Sequence, residues 1–322
     1  MRVFVAGAAG AIGRQLVPLL VHSGHQVTGL TRSRDKAEQI EAAGAVAVVA
    51  DALDRTAVMG AVQKGLPEAI IHELTAIPGK FDLRHFDRDF ALTNRLRTTG
   101  LDHLVEAARA VGCRRFLAQS YAGWPYAREG GPIKTEEDLL DTDPPREFRS
   151  TLEAIRYLER TVSGLPGMVG IALRYGGFYG PGTSLAAGSD MVSQVRRRRV
   201  PIVGSGAGVW SFVHITDAAL ATWKALERGS RGMYNIVDDE PAPVSEWLPA
   251  LAAAIGAKPP RHIPEWLGRL VIGKHGVLMM TQVRGASNAK AKRELEWQPV
   301  WPTWREGFLK GLGVSLPPPV KR

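Results

Sequence analysis

Cysteine is nearly absent: Cys113 is the single one among 322 residues, which excludes an intramolecular disulfide. It lies beside a strand-like segment, where a buried, inert thiol is expected. Low cysteine use fits a reducing, cytoplasmic setting. No apolar run approaches the about 18 residues of a membrane span, so no membrane partner is expected. Glycines interrupt the N-terminal apolar stretch, which argues against a secretory leader. No His, Cys, Asp and Glu cluster has metal-site spacing, and there is no internal repeat. Lysine is scarce through the middle of the chain. Between positions 81 and 223 only Lys134 occurs, and none of Tyr121, Tyr126, Tyr157, Tyr175, Tyr179 or Tyr234 has a lysine four residues on.

What is present is an ordinary globular composition, 45% hydrophobic and 23% charged, long enough for one large or two smaller domains. The formal charge of +9 raises the question of nucleic acid. The densest basic run, Arg196 to Arg199, falls at the end of a helical pattern, where arginine suits the helix dipole and a solvated face. A phosphate-rich cofactor accounts for a basic protein without nucleic acid.

Strand-like and helix-like segments alternate. Arg2–Ala6, Gln26–Thr31, Ala45–Ala50, Ala69–Leu74, Arg115–Gln119 and Val169–Arg174 read as strands. Ala11–His22, Asp35–Ala43, Arg55–Lys64, Leu92–Val111 and Arg149–Val162 read as the helices between them. The alternation predicts an α/β fold, a doubly wound parallel sheet. Beyond it, Tyr175–Gly188 is rich in glycine and aromatics, a helix covers Ser189–Arg198, and a loop spans Gly204–Gly208. Thr216–Arg228 is helical, Met233–Val237 strand-like, and the remainder mainly helical. Leu316–Arg322, with three consecutive prolines, reads as an extended tail.

The first strand leads into Gly7-Ala8-Ala9-Gly10-Ala11-Ile12-Gly13. Glycines between a strand and a helix let the backbone approach a pyrophosphate and aim helix N–H groups at it. The second strand ends Thr31-Arg32-Ser33-Arg34, without the carboxylate that would accept the ribose hydroxyls of NAD(H). A guanidinium at Arg32 pairs instead with the 2′-phosphate of NADP(H), the favoured cofactor. Asp51 has two open roles, accepting from the adenine amino group or capping a helix; Asp54 is the better cap.

Together these residues resemble the extended short-chain dehydrogenase/reductase superfamily, the NAD-dependent epimerase/dehydratase group, over most of the chain. The resemblance rests on the glycine triplet, Asp51-Ala52-Leu53, Leu74-Thr75-Ala76, Asn94, and Leu173-Arg174-Tyr175 through Phe178-Tyr179-Gly180-Pro181-Gly182. It continues in Ser211-Phe212-Val213-His214-Ile215-Thr216-Asp217 and in Glu294 to Pro299. It implies a Rossmann domain over 1–175 with a return segment near 213–240, and a substrate-binding part over 176–212 and 241–322. It also implies that the quoted residues up to Phe178, with Ser120, lie along the cofactor. Either a monomer or a homodimer is compatible with it.

The family's chemistry uses Tyr-x-x-x-Lys on a helix, where the ammonium one turn away lowers the phenol pKa. Anchored on Glu159, those positions here are Thr151 and Ile155. The Ser/Thr position after the fifth strand falls on Tyr121, preceded by Ser120. Tyr121 and Ser120 are therefore the candidates for orienting a substrate oxygen, with packing and a backbone bond as their structural alternatives. The nucleotide-sugar members carry Arg-Asp where this chain has Trp210-Ser211, and a tryptophan cannot neutralise a diphosphate. With Trp124, Thr151 and Tyr179, Trp210 is expected to line the substrate cleft. The reading is an NADP-dependent reductase of a small hydrophobic or aromatic ketone that works without the Tyr/Lys pair. A catalytically silent NADP-binding regulator and a sugar-type epimerase or dehydratase are the alternatives.

Overall fold

The computed structural model describes residues 1–79 and 82–314; the expected tail Leu316–Arg322 lies outside the described residues. The central sheet has seven strands: β1 (Arg2–Ala6), β2 (Gln26–Thr31), β3 (Val46–Val49), β4 (Ala69–His72), β5 (Arg115–Tyr121), β6 (Val169–Tyr175) and β7 (Gly232–Ile236). Their order is β7-β6-β5-β4-β1-β2-β3, and every pairing is parallel. Inner strands such as Ala69–His72 are buried throughout because helices cover both faces. The edge strand β3 leaves Val46 and Val49 exposed.

Helices α1 (Gly13–His22), α2 (Arg34–Ala42) and α3 (Arg55–Gly65) follow the first three strands. Two short helices, α4 (Phe86–Asp89) and α5 (Ala91–Arg95), precede a π-helical turn at Leu96–Gly100, which runs on into α6 (Leu101–Ala110). Next come α7 (Arg149–Ser163), α8 (Asp190–Arg196) and α9 (Ile215–Arg228). One apolar core, with Leu16, Val17, Ile71 and Ala221, lies between the sheet and α1 and α9. A second, with Val58, Leu104, Phe116 and Leu158, lies beneath α3, α6 and α7. A third gathers Tyr179, Trp247, Trp304 and Phe308 around α10 (Val244–Ala254). Helix α11 (Glu265–Thr281) breaks its regular backbone at Gly273, φ 75°.

The structure departs from the simple alternation in one instructive place. The segment Leu92–Val111, expected as one helix, is interrupted by the π-helical turn. His72, at the end of β4, bonds its Nε2 to the Leu96 carbonyl at 3.0 Å, while its Nδ1 accepts from the Leu74 amide at 3.2 Å. A side chain engaging the helix backbone from the sheet is a recognised cause of such a widened turn.

Candidate active site

The strand order reverses between β1 and β4, so the crevice beyond their carboxyl ends is where a ligand is expected in this architecture. The glycine turn forms its floor. Gly7 has φ 98°, and a Cβ there would meet the Glu73 carbonyl oxygen at 2.7 Å. A Cβ on Gly13 would lie 2.4 Å from the carbonyl oxygens of both Gly7 and Ala8. Gly10 is exposed. Ile12 stands at the N-cap of α1 with no side-chain cap and no acid in the first turn; the Arg14 and Gln15 amides are taken by the Gly10 and Ile12 carbonyls, which leaves the Ala11, Ile12 and Gly13 amides for an anion. This donor set fits the pyrophosphate of a dinucleotide.

Arg32 is exposed directly after β2. Asp51 is also exposed and accepts from the Leu53 amide at 2.9 Å, folding Asp51-Ala52-Leu53 into a tight turn. Asp54 caps α3 through the Ala57 amide at 3.0 Å. The Leu74–Ala76 stretch is pinned by His72 at one end and by Thr93, whose hydroxyl accepts from the Ala76 amide at 3.0 Å, at the other. These segments line one rim beside the glycine turn.

The carboxyl end of β5 carries Ser120 and Tyr121. Ser120 is buried and donates to Glu159 at 2.7 Å. Arg174 grips the same carboxylate with two bonds of 2.7 Å, and both partners are almost fully buried. Ser120 and Arg174 thus belong to one ionic anchor tying β5 and β6 to α7. Tyr121 is half-buried. Burial pushes its phenol up to about 12, against the opposing pull of Trp124 and of the Arg97 charge. It is a neutral hydroxyl under ordinary conditions and a weak proton donor. Ile155 is wholly buried.

Thr151 is also wholly buried; its hydroxyl donates to Asp87 at 2.6 Å and accepts from Asn94 at 3.0 Å. Asp87 further accepts from the Ser150 and Thr151 amides, so this knot holds the start of α7 against α4 and α5. Asn94 therefore contacts Thr151 rather than standing free.

Of the aromatics expected around the cleft, Trp124 is the one found at Tyr121, with ring centroids 4.6 Å apart. Phe148 and Phe86 pack on Trp124 at 4.3 and 5.4 Å, and His275 of α11 stacks on Phe148 at 4.9 Å. The others are elsewhere. Trp210 donates its indole N–H to the Met279 carbonyl at 2.8 Å and packs on Trp247. Tyr179 is wholly buried between His214 and Phe308. Tyr175 points into the interior, its hydroxyl bonded to Thr222 at 2.6 Å and Glu73 at 3.1 Å. Phe178 is half-buried against Tyr175.

Sequence reasoning passed over Glu73, Phe86, Arg97, Phe148 and His275. Burial raises the Glu73 carboxyl to about 8 despite the Tyr175 bond, and lowers the His275 imidazole to about 4. The available signal was local: polar residues on otherwise apolar faces need partners. Among the described residues no group of three or more His, Cys, Asp and Glu side chains is placed to hold a metal, and no helix is long and apolar enough to cross a membrane.

The model of the NAD dependent epimerase/dehydratase family matches residues 3–237. The chain belongs to this family. Within it, the chain is 43% identical over 313 residues to a 3-diazoavenalumate denitrifying reductase of a Streptomyces species, covering 96% of this chain and 99% of that one. It is 24% identical to a 4-hydroxy-2-methyl-3-oxo-4-farnesyl-3,4-dihydroquinoline-1-oxide ketoreductase of Stigmatella aurantiaca, over 80% of this chain and 74% of the relative. Among solved structures, the Thermus thermophilus UDP-glucose 4-epimerase complex with NAD superposes with a TM-score of 0.72 at 24% identity, covering 97% and 98% of the two chains. That likeness is one of fold. The relatives' names support an enzyme of the reductase and epimerase kind with a nicotinamide cofactor.

Proposed function

We propose that this family member is an NADPH-dependent reductase of an aromatic substrate, built for an acceptor that needs no strong acid from the protein. The observation that carries the reading is the neutral, half-buried Tyr121 beside Trp124, combined with Thr151 and Ile155 at the positions of the proton-transfer pair. Bound at the glycine turn, the nicotinamide cofactor would supply a hydride. Gly7, Gly10, Ala11, Ile12 and Gly13 would hold its pyrophosphate, and Arg32 its 2′-phosphate. Tyr121 orients and polarises the acceptor, while Trp124, Phe86 and Phe148 exclude water around it.

A diazo acceptor suits such a site. An aryl diazonium takes a hydride at nitrogen, loses dinitrogen and becomes the arene. The electrons balance without any proton from the enzyme. The name of the 43% identical relative supports this acceptor class. A ketone remains workable where substrate or water supplies the proton. The test offers NADPH and the purified chain a panel of aryl diazo compounds and aryl ketones and follows loss of reduced nicotinamide. The reading expects consumption with at least one class. Tight NADPH binding without consumption by any member would instead fit the silent regulator.

A further inference from the structure

Arg97 is buried, 4% exposed, on the π-helical turn that His72 engages. It faces the carboxyl ends of β4 and β5, where its charge acts on His72, Tyr121 and Glu159. Its Nη1 has no hydrogen-bond partner. Glu159, bonded by Arg174 twice and by Ser120 once, acts on it only through its charge. Burial lowers the guanidinium only to about 10, so it stays charged, while His72, held near 4, and Tyr121, near 12, are neutral. Arg174 thus holds the Glu159 carboxylate directly and has Glu136 beside it, while Arg97 feels Glu159 only at a distance. A buried guanidinium nitrogen without a hydrogen-bond partner is expensive, and it points to a ligand.

We infer that Arg97 binds an anionic oxygen, a carboxylate or a phenolate, on the aromatic molecule that lies against Tyr121 and Trp124. The partly exposed Tyr121 and Trp124, the latter backed by the buried Phe86 and Phe148, supply the ring-binding surface, and Arg97 the polar end. Such a division between apolar walls and one fixed charge is how small-molecule sites set orientation. The inference rests on the reductase reading for the identity of the site, but it concerns recognition and is read without turnover.

The probes are cinnamate against cinnamamide, and 4-cyanophenol above and below its own ionisation against benzonitrile. Each is titrated calorimetrically into the full chain with NADPH present. The first pair tests a carboxylate and the second a phenolate. Wild type should prefer a charged probe by about ten- to a hundred-fold, the worth of a desolvated charge-assisted hydrogen bond. Arg97→Met should abolish the preference, and Arg97→Lys should keep part of it, with NADPH affinity unchanged in both. If Arg97→Met does not fold, Arg97→Gln carries the same test. No preference in wild type, or a preference that survives removal of the charge, overturns the inference. Anion preference without NADPH consumption by any acceptor would sink the reductase reading and leave the Arg97 site standing.

Discussion

Replacing Glu159 with glutamine removes the buried carboxylate that Arg174 and Ser120 share at the end of β5. The side chain accepts three bonds of 2.7 Å, two from Arg174 and one from Ser120. Glutamine keeps the size but loses the charge and turns one acceptor into a donor that faces the guanidinium. Breaking one side of a buried pair costs about 3–5 kcal/mol, because the surviving charge is left without compensation. At about 2.1 cal/mol/K per residue, 322 residues give an unfolding entropy of about 0.7 kcal/mol/K, so the loss corresponds to about 4–7 °C in Tm. Urea unfolding and calorimetry measure it. The double variant Glu159→Gln/Arg174→Met should recover part of the loss, since the orphaned cation is gone. A single-variant loss below about 1 kcal/mol would refute the claim that this pair anchors β5 and β6 to α7.

Four further outcomes are expected. Arg97→Met should leave the cofactor-free protein as stable as wild type or more stable, because an unpaired buried cation is removed; a loss above about 2 kcal/mol in urea unfolding would show an unseen partner. Glu73 titrates near 8 in the fold against about 4.5 in the unfolded chain, so its neutral form is favoured and its contribution declines as pH rises between those values. Relative to Glu73→Gln, wild type should therefore lose up to about 1.4 kcal/mol per pH unit across that window, and parallel stability profiles would contradict the burial argument. Arg32→Ala should weaken NADPH by about ten-fold or more with little change for NADH; equal weakening in titrations would remove Arg32 from 2′-phosphate recognition. Tyr121→Phe should lower turnover while preserving NADPH affinity; unchanged turnover would assign the ring to packing alone.

The fold was legible because its strands are short apolar runs and its helices carry apolar stripes between them. Ends moved by a residue or two where capping decided the boundary, as at Gly13, where the helix starts later than the periodic pattern suggests. The π-helical turn was not legible, because a bond from His72 to the Leu96 carbonyl leaves no trace in the periodicity of Leu92–Val111. Arg97 reads in sequence like any arginine on a polar helix face. Trp210 and Tyr179 were equally opaque. An aromatic in a glycine-rich stretch serves a cleft or a core with the same residue type, and here the C-terminal core takes both. The glycine turn stood out because close backbone approach tolerates no side chain at Gly7 or Gly13.

Hydride transfer without a protein acid is best tested with NADPH deuterated at the transferring carbon, the full chain, and an aryl diazo carboxylate. The account predicts cofactor oxidation matched one to one by dinitrogen release, with a rate that Tyr121→Phe lowers but does not abolish and that is flat in pH across the phenol's approach to ionisation. Deuterium should leave the cofactor as it is consumed. Cofactor that binds but keeps its deuterium with every diazo and ketone acceptor would contradict the account.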